Sequence, residues 1–129
     1  MTTARETIDA AMTEAEWQAQ ITGWAEKRGW WWRHVPDSRR VNAHWPDLEL
    51  VRVKDGNGRP LPWQFVTDLI RDVDASLFDV QFAFIEVKRQ SGKPTPGQET
   101  MIALLDLLPG VWAMVARPSD WPEVEQRLR

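Results

Sequence analysis

The sequence predicts a single α/β domain in which a mixed β-sheet is flanked by helices. Helix-like and strand-like segments alternate along the 129 residues, and a helix-like segment separates the last two strands. A strand, a helix and a further strand in this order form a β-α-β unit with a right-handed crossover and parallel strands. With 43% hydrophobic residues, the chain can build one core but not two.

Capping patterns and apolar periodicity predict four helices. Residues 1–12 are expected to be a tail that precedes the domain, which spans 13–129. The first predicted helix runs from Thr13, the first residue of a Thr-x-x-Glu capping box, to Gly29, and the second is a short helix after Pro62. The third begins at Thr95 and Pro96, and its expected buried stripe consists of Met101, Leu104, Leu105 and Leu108. The last runs from Ser119, its expected cap, to Leu128.

β-prone and apolar runs predict four strands, at 30–35, 48–53, 79–88 and 111–116. Asp55-Gly-Asn-Gly58 is a strong turn signal after the second strand. The segment around 54–80 is longer than a simple hairpin needs. It is therefore expected to be an insertion that carries the short helix.

Composition excludes several classes of protein. The chain has no cysteine, which excludes disulfides, thiolate zinc sites and a cysteine nucleophile. No apolar run approaches the roughly 18 residues that a membrane span needs, and the first residues lack a signal-peptide core. The expected location is therefore the cytoplasm, with no membrane partner.

Charge is distributed unevenly although the formal net charge is only −3. Lys and Arg dominate residues 27–44 and 87–97, whereas acids gather between 47 and 86. A site that binds a cation and then a polyanion needs both kinds of patch; solvated loops are the alternative explanation. The candidate contacts to such a polyanion in the basic segments are Arg33, His34, Arg39, Arg40, His44, Arg89 and Lys93.

Two acids and one amine are expected to meet at the sheet. Side chains two apart in a strand share a face, so Glu86 and Lys88 project together. Asp47 directly precedes another strand, and pairing of these two strands would bring its carboxylate close to Glu86. Such a group is a plausible site for a divalent metal.

The order of these features resembles the PD-(D/E)XK nuclease superfamily, and most closely its VRR-Nuc branch of small phage-type nucleases. The resemblance rests on Glu14 with Gln18, on Trp45-Pro46-Asp47, on Glu86-Val87-Lys88, and on Gln98 after Gly92-Lys-Pro-Thr-Pro96. It covers about 13–128, and it implies a restriction-endonuclease-like fold. The sequence departs from the family at His44, where glycine is frequent, and in the inserted segment.

The resemblance implies a Mg²⁺- or Mn²⁺-dependent DNA endonuclease that acts on flapped or junction DNA in phage replication, recombination or repair, and a homodimer. Asp47, Glu86 and the carbonyl of Val87 would hold the metal. Lys88 would orient the attacking water or stabilise charge on the phosphate. By the same resemblance, Glu14 would contact a metal-bound water or a second metal, and Gln98 would position Lys88 or the phosphate.

Each of these residues also has a purely structural explanation. Glu86 and Lys88 could form a surface salt bridge, Asp47 could cap a turn, and Glu14 could serve the helix dipole. Gln98 is also the reciprocal partner in a capping box, and His34 or His44 could be a plain loop histidine. The alternative functions are a catalytically silent DNA-binding or assembly module with a nuclease fold, and a subunit of a larger restriction system.

Overall fold

A computed structural model describes residues 2–35, 44–72 and 78–129, with the backbone alone for 68–72. The described helices are α1 (Ala4–Ala11), α2 (Glu14–Lys27), α3 (Trp63–Asp72), α4 (Pro96–Asp106) and α5 (Trp121–Arg127), with a 3₁₀ turn at Pro118–Asp120 before α5. The described strands are β1 (Trp31–His34), β2 (Leu48–Lys54), β3 (Asp79–Val87) and β4 (Val111–Ala116).

The four strands form one mixed sheet in the order β1-β2-β3-β4. β1 pairs with β2, and β2 with β3, in antiparallel fashion. β3 and β4 are parallel and are connected through α4. The structure thus confirms a single small α/β domain with a mixed sheet, and it confirms the β-α-β unit.

The main core lies between one face of the sheet and the helices α2 and α5. Twelve buried hydrophobic residues form this cluster, in which Trp17 and Ile21 of α2 and Val124 of α5 meet alternate residues of β2 and β3. The indole of Trp17 donates a hydrogen bond to the carbonyl of Ala116, and that of Trp30 donates to Leu128. Leu105 of α4 is buried outside this cluster, because α4 covers β3 and β4 from the other face.

Arg52 is a charged residue inside this core. It lies on β2 with 1% of its surface exposed, and its guanidinium stacks 4.2 Å from the ring centre of Trp30. It donates to the carbonyls of Arg28, Leu128 and Arg129 and to the side chain of Gln81. Burial lowers the pKa of Arg52 to about 10. These bonds join the end of α2 to the end of α5 through β2.

Residues 1–12, which are expected to be a tail, include a helix. Helix α1 occupies Ala4–Ala11, and Thr3 caps it through a reciprocal bond with Glu6. This is the same capping box that starts α2, where Thr13 bonds Glu16. Helix α1 contacts the 3₁₀ turn before α5, so the segment packs on the domain instead of preceding it.

The structure contradicts two further expectations, the buried stripe of α4 and the cap of the last helix. Of the stripe expected on α4, Leu105 is buried and Met101 half-buried, but Leu104 and Leu108 are 54% and 50% exposed. Ser119 is not the cap of the last helix. Its hydroxyl and its backbone N–H bond the side chain of Gln90 instead, and α5 begins only at Trp121.

The other predicted elements lie close to where the sequence places them. Thr13 and Thr95 cap α2 and α4, and α3 begins after Pro62. Gly29 has a φ of +81°, which fits the helix stop. Within the described ranges, each helix is too short or too polar to traverse a lipid bilayer.

Candidate functional site

Asp47 and Glu86 lie opposite each other across the pairing of β2 with β3. Leu48 pairs with Ile85 in this antiparallel register, so the next pair outward is Asp47 with Glu86. Directly opposite residues of antiparallel strands point to the same face, with Cβ atoms about 5 Å apart. The two acids, separated by 39 positions in the chain, therefore converge at one end of the sheet.

Asp47 is held from two sides. Its carbonyl accepts a hydrogen bond of 2.8 Å from the backbone N–H of Val35 at the end of β1. Its carboxylate oxygen Oδ2 accepts one of 2.8 Å from the backbone N–H of Val87 in β3. The carboxylate is therefore fixed in position before any ligand arrives.

Glu86 is a buried acid of which only one carboxylate oxygen has a partner among the described residues. Its residue exposure is 2%, and Oε1 lies 3.4 Å from the Nζ of Lys88. Oε2 is buried and has no hydrogen-bond partner among the described residues. Burial, followed by the negative charge of Asp47, raises the pKa of Glu86 to about 7, while Lys88 acts in the opposite direction. This carboxyl therefore keeps its proton at pH values at which an ordinary glutamate is ionised.

Lys88 directly follows β3 and stays attached to the sheet. Its backbone N–H donates to the carbonyl of Ala116, and its side chain is 20% exposed. The ammonium group thus combines a buried carboxylate partner with access to solvent. An amine in this position can donate a hydrogen bond to an incoming anion.

The donor set fits a hard divalent cation. Two carboxylates on one face, one with an unpartnered buried oxygen, are the type of ligand that Mg²⁺ and Mn²⁺ prefer. Among the described residues, no three His, Asp or Glu side chains gather into a metal-binding group. Two carboxylates, a backbone carbonyl such as that of Val87, and waters would therefore have to complete such a site.

Glu14 and Gln98, the other two candidate catalytic residues, lie in the first turns of two different helices. Gln98 accepts a bond from the backbone N–H of Thr95 through its side-chain oxygen, so it serves the capping box of α4. Glu14 is exposed in the first turn of α2. That turn lies at the same end of the sheet as Glu86, because Trp17 donates to the Ala116 carbonyl that also accepts the Lys88 N–H.

The predicted DNA contacts in the described chain come from three separate segments. Arg33 is bound to Glu49 by two hydrogen bonds, and His34 is exposed on β1. Arg89 and Lys93 are exposed on the loop that follows Lys88, and His44 packs on Gly97 in α4. The positions of Arg39 and Arg40 lie outside the described residues.

Arg117 and Gln90, to which the sequence analysis assigns no role, hold the loop after Lys88 in place. Arg117 donates from Nε to the carbonyl of Gly92, and Gln90 exchanges two bonds with Ser119. These contacts attach the segment from Lys88 to α4 to the turn after β4. The Arg-Pro-Ser-Asp motif was visible in the sequence, but its partners lie about 25–29 residues away.

An aromatic groove of about 250 Å³ lies on the sheet face that carries the acids. Phe82, Phe84 and Trp31 line it together with the Arg33–Glu49 pair. Trp45 packs edge-on against Phe84 and donates to Glu49. The lining residues nearest in sequence to the acids are Glu49, two positions from Asp47, and Phe84, two positions from Glu86.

Comparisons of the chain with models of protein families, with curated proteins and with solved structures find no match. The resemblance to the VRR-Nuc branch therefore stays a prediction that rests on the residues themselves.

Proposed function

We propose that this protein is a Mg²⁺- or Mn²⁺-dependent nuclease with a restriction-endonuclease-like fold. The observation that carries the proposal is the proximity of Asp47, which accepts the Val87 N–H, to the buried Glu86, with the ammonium of Lys88 3.4 Å from the carboxylate of Glu86. A structural salt bridge needs only one acid and one amine. A second carboxylate on the same face raises the electrostatic cost and is best explained by a cation.

The carboxylates of Asp47 and Glu86 and the carbonyl of Val87 would hold the ion. When bound, the metal supplies positive charge that offsets the repulsion between a hydroxide and the phosphodiester. The unpartnered Oε2 of Glu86 supports this assignment, because a buried carboxylate oxygen without a donor is costly. Two carboxylates about 4 Å apart repel by roughly 4 kcal/mol at an effective dielectric near 20.

The residues of this chain have separate tasks in the proposed reaction. Asp47 stays in place through its bond to the Val87 N–H. Glu86 releases its proton when a cation arrives, because the positive charge favours the ionised carboxylate. Lys88 donates a hydrogen bond to the attacking water or to a phosphate oxygen, where negative charge grows in the transition state.

DNA is the proposed substrate, and the exposed Arg89 and Lys93 on the loop after Lys88 support this class. A preference for flapped or junction DNA, a role in phage replication, recombination or repair, and a homodimer come from the family resemblance alone. The aromatic groove would suit unstacked bases near the cleavage point.

The test is a cleavage assay with labelled duplex, flap and four-way junction in Mn²⁺ or in EDTA. We expect metal-dependent cutting that falls at least about 100-fold in Asp47→Asn and in Lys88→Met. Asp47→Asn keeps an oxygen that can accept the Val87 N–H, so the loss would reflect charge. Lys27→Met changes an exposed lysine of α2 and should cut like the native protein.

Absence of metal-dependent cutting, or native activity in both variants, would refute the nuclease proposal. DNA binding that persists in EDTA without any cutting would support the silent DNA-binding module. The net charge of −3 favours an assembly role of such a silent module over DNA binding, because the binding of phosphates is driven by positive charge.

A further inference from the structure

His44 packs directly against the backbone of Gly97 in the first turn of α4. A β-carbon placed on Gly97 would overlap the imidazole ring of His44. Gly97 does not need the left-handed conformation, since the described glycines with positive φ are Gly29, Gly58 and Gly110. Glycine costs about 1 kcal/mol relative to alanine inside a helix. A β-carbon at position 97 would therefore require the exposed ring of His44 to move.

This contact connects the turn that carries Asp47 to α4. His44 lies three residues before Asp47, and the intervening Pro46 is buried. The bond from the Val35 N–H holds the turn to β1, and the contact of His44 with Gly97 holds it to α4. Between these two attachments, the carboxylate of Asp47 reaches the Val87 N–H at 2.8 Å.

We propose that His44 is a positioning residue of the acid-pair site, acting through Asp47, and that the site requires glycine at position 97 for this reason. The inference rests on the proposed function, because Asp47, the residue that His44 positions, is a proposed metal ligand. His44 does not contact the acids in this assignment. It sets the distance between the Asp47 turn and α4, and so the position of one of the two carboxylates.

The test is a double-mutant cycle of Gly97→Ala and His44→Ala with two readouts. The first is hydrogen exchange of the Val87 amide, measured by NMR without metal, which reports the bond to Asp47. The second is the affinity for Mn²⁺. We expect Gly97→Ala to speed the exchange and to weaken Mn²⁺ binding, each by about 10-fold, the scale typical of residues that orient metal ligands. In the His44→Ala background, the same substitution should change neither readout by more than about 2-fold.

Gly23→Ala is the matched control. Gly23 also lies in a helix, but a β-carbon there meets no atom within 4 Å, so both readouts should stay native. The inference is wrong if Gly97→Ala leaves both readouts unchanged, or if its effect is the same with and without His44. Absence of Mn²⁺ binding by the native protein refutes the proposed function instead, and the Val87 exchange cycle then decides alone whether His44 positions Asp47.

Discussion

The buried acid Glu86 should make the metal-free protein less stable as the pH rises. Burial and the charge of Asp47 raise the pKa of Glu86 from 4.5 to about 7 in the folded state. A raised carboxyl pKa contributes stability that is complete below pH 4.5 and is lost as the pH rises through about 7. Glutamine has nearly the same shape and carries no charge. Glu86→Gln should therefore gain stability relative to the native protein across this range.

The expected size of the effect follows from the two pKa values. Each unit of pKa difference corresponds to about 1.4 kcal/mol, so the full interval sets an upper limit of about 3 kcal/mol. We expect a change of about 1 to 3 kcal/mol between pH 4.5 and pH 8 in the difference between the two proteins. The ion pair with Lys88 forms only when Glu86 is ionised, and its effect is already contained in the pKa of about 7.

Urea denaturation in EDTA at several pH values, followed by tryptophan fluorescence, measures this difference. Glu99→Gln is the control, because Glu99 is an exposed acid in the first turn of α4. Its difference from the native protein should stay nearly constant with pH. A difference for Glu86→Gln that stays constant with pH, or a native protein that gains stability relative to Glu86→Gln as the pH rises, would refute the assignment of Glu86 as a strained buried acid.

Two other substitutions test residues with contrasting roles. Arg52→Met should lower the free energy of unfolding by about 3 kcal/mol in urea titrations, because it leaves buried carbonyls unpaired. The control Arg59→Met changes an exposed arginine and should alter the free energy of unfolding by less than about 0.5 kcal/mol. Equal effects of the two substitutions would contradict the role of Arg52. Glu14→Gln should lower cutting about 10-fold with stability kept within about 0.5 kcal/mol; a variant that cuts like the native protein would assign Glu14 to the helix dipole alone.

Local signals in the sequence were sufficient for most of the secondary structure. Capping boxes at Thr13 and Thr95 act within four residues, so they can be identified without knowledge of the fold. The same rule would have found α1 through Thr3 and Glu6. The two-residue repeat of a strand predicted that Glu86 and Lys88 share one face. The pairing of the two strands predicted that Asp47 lies close to Glu86.

Features that depend on distant segments were not predictable. Leu104 and Leu108 have helical spacing, but only the placement of α4 on the edge strand decides which apolar side chains become buried. Ser119 lies within the proline-containing 3₁₀ turn Pro118–Asp120, and its partner Gln90 comes from another loop. The contact of His44 with Gly97 joins segments 53 positions apart, and no local pattern indicates it.

Arg52 has a consequence for how the domain opens. One guanidinium binds carbonyls at the ends of both α2 and α5, which are about 100 positions apart in the chain. Detachment of α5 would remove partners from a cation that also supports α2, so fraying at one helix is energetically linked to the other. These two helices and the strand between them should therefore behave as one cooperative unit, with amide protection that is lost together.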